Sequence, residues 1–166
     1  GAVSLRKSHV TIEGQRVICA YKGKGGTPRR VQMRDKLLAK TLDGFLEERG
    51  AFLFRCRKVR PVAQDVNTYI QETLGLAFTA KDFRTWKGSV AAVDSLASCD
   101  RVTIKTVTQA AADALGNTPA IAKSSYIHPI ILELARDKCR PETYCREAAG
   151  LKGEALLLSV LEKSQN

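Results

Sequence analysis

The N-terminal part of the chain places its β-branched and apolar residues in three short runs, residues 9–12, 16–21 and 29–33. Glycine-containing segments at residues 13–15 and 23–26 separate these runs and are typical of turns between neighbouring strands. The pattern predicts a small antiparallel sheet of three strands.

After this sheet, apolar residues recur at the spacing of three and four that is typical of helices. Thr79 and Asp82 resemble a capping box, in which Thr79 accepts a hydrogen bond from the first helical turn and Asp82 complements the helix dipole. Between the first two helices, residues 51–54 form a short apolar stretch that we expect to be extended. We predict helices at residues 35–48, 65–74, 79–97 and 103–115, then from 118 to about 126, from 129 to about 138, and in a tail from 141 that contains two short helices separated by Gly150, the last at 153–163.

These elements indicate an α+β fold that is mostly α-helical, with the sheet followed by a helical bundle. The 166 residues suffice for one domain with its own core. We predict a single domain made of a sheet part (1–34), a helical core (35–138) and a C-terminal helical tail (139–166).

Composition excludes several classes of protein. Hydrophobic residues make up 44% and charged residues 27% of the chain, and no apolar run approaches the roughly 20 residues that span a bilayer. A membrane-spanning or disordered chain is therefore not expected. The chain has an odd number of cysteines, and no two of them form a C-x-x-C pair: Cys19, Cys56, Cys99, Cys139 and Cys145. We therefore expect free thiols, a reducing intracellular compartment and no metal.

The formal net charge of +10 is distributed unevenly. Residues 1–60 hold 15 Lys/Arg against 5 Asp/Glu, whereas residues 61–166 hold 12 of each. A basic excess confined to one segment favours a polyanionic partner such as nucleic acid over a small acidic substrate, although it is also compatible with a solvated surface.

Four residues carry the candidate chemistry, and each has an ordinary structural interpretation. Lys24 could be a solvated turn residue, Arg84 a partner in a surface ion pair, Asn117 a helix C-cap and Tyr126 a packing residue. Their order and context favour a functional interpretation.

The segments Thr-Ala-Lys-Asp-Phe-Arg-Thr-Trp (79–86) and Gly-Asn-Thr-Pro-Ala-Ile-Ala-Lys-Ser-Ser-Tyr-Ile-His-Pro (116–129) resemble the catalytic core of type IB DNA topoisomerases of the poxvirus-like and bacterial kind. The resemblance rests on the Lys-Asp-Phe-Arg-Thr motif, the nine-residue separation of Asn117 from Tyr126, and the Gly-Lys-Gly-Gly turn at 23–26. It extends over about residues 1–138.

The resemblance implies a tyrosine recombinase/topoisomerase IB catalytic core acting on duplex DNA without ATP, metal or other cofactor. Tyr126 would be the nucleophile, Arg84 and Asn117 would stabilise the transition state, and Lys24 would protonate the leaving oxygen. Lys81 could be an accessory donor or a phosphate-binding residue. A further active-site arginine and an N-terminal DNA-clamping domain would lie upstream of the matching region, so we expect this chain to lack both and to turn over slowly.

Two alternatives share these features. A tyrosine recombinase would use the same chemistry to exchange strands between duplexes, and a non-enzymatic fragment would only bind DNA. We expect a monomer in the cytoplasm or nucleoid, with association through the tail as a further possibility.

Overall fold

The computed structural model describes residues 2–23, 26–55, 59–98, 102–136 and 150–164. The chain divides into two units, Gly1–Phe78 and Thr79–Asn166. The single-domain organisation and its three parts stay predictions.

The first unit contains the predicted sheet. Its strands are β1 (Val10–Glu13), β2 (Arg16–Lys22) and β3 (Pro28–Arg34), and both neighbouring pairs are antiparallel in the order β1-β2-β3. Gly14 adopts a φ of 61° in the two-residue turn between β1 and β2, a backbone conformation that glycine reaches without steric cost. The alternation of residue types therefore predicted this part of the fold correctly.

Two helices follow in the first unit, α1 (Lys36–Glu47) and α2 (Ala63–Leu74). The Asp35 carboxylate caps α1 by accepting the Leu38 N–H at 2.8 Å, and α1 buries Ala39 and Leu42 in the core formed with the sheet. The predicted extended stretch is confirmed where Phe52 pairs with Arg6 in an isolated antiparallel bridge.

The second unit is helical within its described residues. Its helices are α3 (Ala80–Ser98), α4 (Ile104–Leu115), α5 (Pro119–Ser125), α6 (Pro129–Arg136) and α7 (Gly153–Lys163). Helix α3 packs against α4, α6 and α7. The largest fully buried side chains of this core come from four different helices: Val93, Val107, Ile131, Leu134 and Leu157.

Short sequence signals set the ends of these helices. Thr103 and Thr118 accept hydrogen bonds from the backbone of the first turns of α4 and α5, and Pro119 opens α5. Gly116 ends α4 in the left-handed conformation, with φ 61° and ψ 45°. These contacts confirm the predicted boundaries around the α4–α5 connection.

The start of α3 differs in one respect from the prediction. The Asp82 carboxylate accepts hydrogen bonds from both the N–H and the hydroxyl of Thr79, at 2.8 and 2.6 Å. The Thr79 hydroxyl thus donates to the charged Asp82 carboxylate, while the Asp82 N–H donates to the Thr79 carbonyl at 3.0 Å instead of to the hydroxyl. Helix α3 itself begins where the sequence predicted.

The fold class is confirmed: an antiparallel three-stranded sheet precedes a set of helices. The last predicted helix, at 153–163, is confirmed by α7. The first helix predicted in the tail, between residues 141 and 149, lies outside the described residues.

Among the cysteines, Cys19 lies within the described residues, where it is a free thiol, and burial raises its pKa. The other four lie outside the described residues: Cys56, Cys99, Cys139 and Cys145.

Candidate active site

Three elements of the second unit carry three of the candidate residues. Arg84 lies in the second turn of α3. Asn117 follows the left-handed Gly116 at the end of α4, where its N–H donates to the Ala112 carbonyl at 2.9 Å. Tyr126 is the C-cap of α5, with φ −141° and ψ 11°. The predicted ends of α4 and α5 therefore fix the backbone positions of Asn117 and Tyr126.

The three side chains meet at Arg84. Its Nη2 donates a hydrogen bond to Asn117 Oδ1 at 3.2 Å, and its Cζ lies 4.7 Å from the centroid of the Tyr126 ring. The second distance is within the range of a cation–π interaction. The structure thus brings together residues that are 33 and 42 positions apart in the sequence.

Arg84 is exposed and Tyr126 is half-buried. Within the described part of the chain, no residue forms a hydrogen bond with the Tyr126 hydroxyl. A phenol whose hydroxyl is unpaired among the described residues, beside an exposed guanidinium, is a suitable arrangement for attack on a phosphate that the guanidinium binds.

The amide of Asn117 is constrained differently at its two ends. Its Oδ1 accepts from Arg84, whereas its Nδ2 is buried and has no hydrogen-bond partner among the described residues. Leaving a buried donor unpaired costs about 1–3 kcal/mol. In this arrangement the Asn117 amide presents its acceptor to the guanidinium and keeps its donor buried.

Lys81 lies on the first turn of α3, exposed to solvent, one turn before Arg84. The pKa of the neighbouring Asp82 carboxyl is lowered, chiefly by the hydrogen bond from the Thr79 hydroxyl, then by the Thr79 N–H, with a smaller contribution from the Lys81 charge. The lowered pKa favours the ionised carboxylate of Asp82 at the start of α3, where its negative charge stabilises the helix by interacting with the helix dipole.

The fourth candidate, Lys24, lies outside the described residues, in the connection between β2 and β3. The residues on either side close this hairpin: Gly23 N–H donates to the Thr27 carbonyl at 2.8 Å, and Lys22 pairs with Pro28.

Sequence reasoning did not identify two residues that contact the Tyr126 segment, Gly88 and Ser89 of α3. Both are buried, and Ser89 Oγ accepts the N–H of His128 at 3.0 Å. Two small residues in succession on a helix are the only sequence signal, and small residues are common in buried helices without such a role.

Helix α3 also holds α7 through two polar contacts. Trp86 Nε1 donates to Glu154 Oε1 at 3.1 Å, and Gly153 N–H donates to Asp94 Oδ1 at 2.6 Å. Helix α3, which carries Arg84, is therefore fixed against α7 through Trp86 and Asp94, to which sequence reasoning assigned no role.

A basic surface lies on the sheet of the first unit. Alternation along each strand places Arg16 and Lys22 of β2 on the same face as Arg30 and Arg34 of β3, and Arg16 is directly opposite Arg34 in the register. Arg16 also forms an exposed ion pair with Glu13 at 3.8 Å. Positive charge concentrated on one sheet face is suited to binding phosphates.

Within the described residues, no group of three or more His, Cys, Asp or Glu residues could hold a metal ion. No helix in this part of the chain is both long and apolar enough to cross a membrane.

Residues 1–125 match the family model described as the catalytic core of eukaryotic DNA topoisomerase I. The chain belongs to this family, the type IB DNA topoisomerases, and the matched region contains Lys81, Arg84 and Asn117.

A curated relative, the DNA topoisomerase 1B of Acanthamoeba polyphaga mimivirus, is 30% identical to this chain in an alignment over 154 residues. The match covers 81% of this chain and 46% of the relative. The chain therefore spans about half the length of the curated relative that it matches.

Proposed function

We propose that this chain is a catalytic domain that relaxes supercoiled duplex DNA by cutting and resealing one strand through a covalent bond to Tyr126. The observation that carries the proposal is the contact of the Arg84 guanidinium with both Tyr126 and Asn117. Membership of the type IB topoisomerase family supports the same reaction.

In the proposed reaction, the Tyr126 phenolic oxygen attacks a backbone phosphorus and the bond from phosphorus to the 5′-oxygen breaks. The product is a 3′-phosphotyrosyl ester, the phenol gives up its proton to solvent, and the departing 5′-oxygen takes up a proton from the general acid to become a hydroxyl. The reverse attack reseals the strand after it has rotated. The number of phosphate ester bonds is unchanged, so ATP is not needed as an energy source.

Arg84 is suited to stabilising the pentacoordinate phosphorus. Extra negative charge develops on the non-bridging oxygens, and a planar guanidinium can donate two parallel hydrogen bonds to them. The contact of Arg84 with the Tyr126 ring supports this assignment because it sets the phosphate-binding group next to the attacking residue.

Asn117 has two roles in the proposed mechanism. Its Oδ1 holds the Arg84 guanidinium in the free protein, and its amide donates to a non-bridging oxygen once phosphate displaces that contact. The buried, unpaired Nδ2 supports the second role, since pairing with a phosphate oxygen would remove the cost of an unsatisfied donor.

Lys24 is proposed as the general acid for the 5′-oxygen, and Lys81 as an accessory donor or phosphate-binding residue. Support for Lys24 comes from the resemblance of residues 23–26 and from the hairpin that its described neighbours close. An ammonium on a flexible side chain can reach and protonate a leaving oxygen. If so, Lys24→Ala would be rescued by a substrate with a bridging 5′-sulfur, which leaves without protonation.

Duplex DNA is the proposed substrate. The net charge of +10 and the basic sheet face formed by Arg16, Lys22, Arg30 and Arg34 support binding to its phosphates.

The proposal is tested by incubating the chain with a pool of labelled duplexes in which a nick lets the short cleaved fragment dissociate and traps the intermediate. The buffer contains a chelator and no nucleotide. We expect a slowly migrating protein–DNA adduct on a denaturing gel, linked through a 3′-phosphate. Salt-sensitive DNA binding without any adduct would contradict the enzymatic proposal and favour a DNA-binding function alone.

A further inference from the structure

Gly88 lies against the main chain of Tyr126. A Cβ atom built on Gly88 would be 2.4 Å from the Tyr126 carbonyl oxygen and 2.9 Å from Leu115 Cδ1. Both distances are below the separations that folded proteins tolerate, and the nearer atom belongs to the backbone, which cannot move aside as a flexible side chain could. Only glycine allows α3 to approach the Tyr126 carbonyl this closely.

The next residue, Ser89, holds the same segment by a hydrogen bond. Ser89 is 2% exposed, and its Oγ accepts the His128 N–H at 3.0 Å. His128 lies between α5 and α6, where helical hydrogen bonding is interrupted before Pro129. Ser89 therefore supplies an acceptor for a backbone donor at this interruption.

Two further contacts fix the segment between these points. The Tyr126 N–H donates to the Ala122 carbonyl at 3.0 Å, and the Ile127 side chain is buried in the core of the second unit. The backbone of residues 126–128 is thus held at each residue. The Tyr126 ring, by contrast, is contacted by Arg84 through a face interaction that is individually weak.

Arg84 and Gly88 are four residues apart on α3, so they lie on the same face of the helix, one turn from each other. One turn of α3 approaches the ring of Tyr126 and the next turn contacts its carbonyl. This arrangement sets the distance between the guanidinium and the main chain of the proposed nucleophile through a single rigid element.

We infer that Gly88 and Ser89 are positioning residues that hold the Tyr126 main chain at the distance from Arg84 needed for in-line attack on phosphate. The inference rests on the proposed function. A displacement of about 1 Å at a reacting group can lower a rate by about 10²-fold, and the Cβ of an alanine at position 88 requires a displacement of this order.

The first test is the single-turnover rate of adduct formation by Gly88→Ala. We expect a rate about 10²-fold lower than that of the wild-type chain, with unchanged affinity for duplex DNA. A bridging 5′-sulfur in the substrate should not restore the rate, because the defect lies in the approach of the nucleophile and not in protonation of the leaving group.

The matched control is Gly44→Ala in α1. Gly44 is also in a helix, and apart from the adjoining residues and backbone of that helix, a Cβ at that position meets no described atom within 4 Å. We expect this variant to react at the wild-type rate and to be slightly more stable, because alanine has the higher helix propensity.

The second test is Ser89→Ala, with Ser98→Ala as its control, since the Ser98 hydroxyl bonds only to the Asp94 carbonyl of its own helix among the described residues. Hydrogen exchange at the His128 amide should become faster in Ser89→Ala and remain unchanged in Ser98→Ala. Adduct formation should be slowed in the former alone. The exchange measurement reports on the contact itself, independently of activity.

Wild-type rates for both Gly88→Ala and Ser89→Ala would overturn the positioning role while leaving the proposed function intact. A second result would also overturn the positioning role. Each variant is assayed at a temperature equally far below its own melting temperature, and a wild-type rate under these conditions would show that the variants had lost only stability. Absence of adduct from the wild-type chain would instead refute the proposed function, and the positioning role with it.

Discussion

The guanidinium of Arg84 lies over the ring of Tyr126, with 4.7 Å between Arg84 Cζ and the ring centroid, while its Nη2 donates to Asn117. At an exposed position a cation–π contact contributes about 0.5–1 kcal/mol. Charge-assisted hydrogen bonds from a guanidinium to a phosphate are stronger. In the proposed mechanism a DNA phosphate therefore displaces the ring from Arg84 and binds beside the Tyr126 hydroxyl.

This relationship leads to a prediction for Arg84→Lys, which keeps the charge but replaces the planar donor pair with a compact ammonium. We expect cleavage and religation to slow by about 10²-fold or more, with DNA affinity changed by much less. Single-turnover rates in both directions, together with binding measured at the same salt concentration, provide the test. Equal losses of affinity and rate would show that Arg84 only anchors the phosphate.

Two replacements of Asn117 distinguish its effects on charge and orientation. Asn117→Ala removes the acceptor for Arg84 and should slow adduct formation by about 10²-fold. Asn117→Asp should be slower still, because a carboxylate would pair with Arg84 and repel the incoming phosphate.

The aspartate variant adds an ion pair with Arg84, but its second carboxylate oxygen takes the buried, unpaired place of Nδ2, so we expect it to melt no higher than the wild type. Rates and melting temperatures of the two variants check both expectations. An Asn117→Asp variant that reacts faster than Asn117→Ala would contradict the proposed contact of Arg84 with phosphate.

The pairing of Asp82 with Thr79 predicts a pH-dependent contribution to stability. The hydrogen bonds from Thr79 lower the pKa of Asp82 below its ordinary value, so the contribution is complete above that ordinary value and is lost as the pH falls through the folded-state pKa. The melting temperature of Asp82→Asn should therefore be lower than that of the wild type near neutral pH. The difference should shrink below about pH 4.

Thermal melts of both proteins across this acidic range measure the effect. Asp43→Asn, at an exposed position within α1, is the control for a general change in net charge. A difference between Asp82→Asn and the wild type that stays constant down to the lowest pH would contradict the role assigned to the ionised carboxylate.

The basic sheet face predicts the salt dependence of DNA binding. Each phosphate contact contributes about 0.9 to the slope of log affinity against log salt concentration. Replacing both Arg30 and Arg34 by alanine should reduce that slope by up to about 2, roughly equally for all DNA sequences.

Gln32→Ala is the matched control, because Gln32 lies between the two arginines on the same face of β3 and is uncharged. If the arginine double variant keeps the wild-type salt slope, this face of the sheet does not bind DNA.

Local chemistry made much of the fold predictable from the sequence. The caps at Asp35, Thr103 and Thr118, the left-handed Gly116 and the turn at Gly14 all act over a few residues, so their spacing alone indicates where elements begin and end. The direction of the Thr79 hydrogen bond was not predictable in the same way, because a hydroxyl can donate or accept and only the placement of Asp82 decides between the two.

The candidate site was predictable in its parts and not in its arrangement. The resemblance singled out Arg84, Asn117 and Tyr126, but the stacking of Arg84 on the Tyr126 ring depends on how α3, α4 and α5 pack. The same holds for the contacts of Gly88 with Tyr126 and of Ser89 with His128, which join positions 38 and 39 residues apart. Periodicity reports which face of a helix is buried but does not identify the residue that it meets.

The central claim, that Tyr126 is the nucleophile, is tested most directly by mapping the covalent adduct. The trapped protein–DNA complex is digested with protease and nuclease, and mass spectrometry locates the residue that retains a nucleotide. Tyr126→Phe is the companion variant. It keeps the ring that Arg84 contacts and loses only a hydroxyl that makes no hydrogen bond with the described residues, so its stability and DNA affinity should stay close to those of the wild type.

We expect the nucleotide on Tyr126 and no adduct from Tyr126→Phe. A nucleotide on another residue, or an adduct that persists in Tyr126→Phe, would contradict the account.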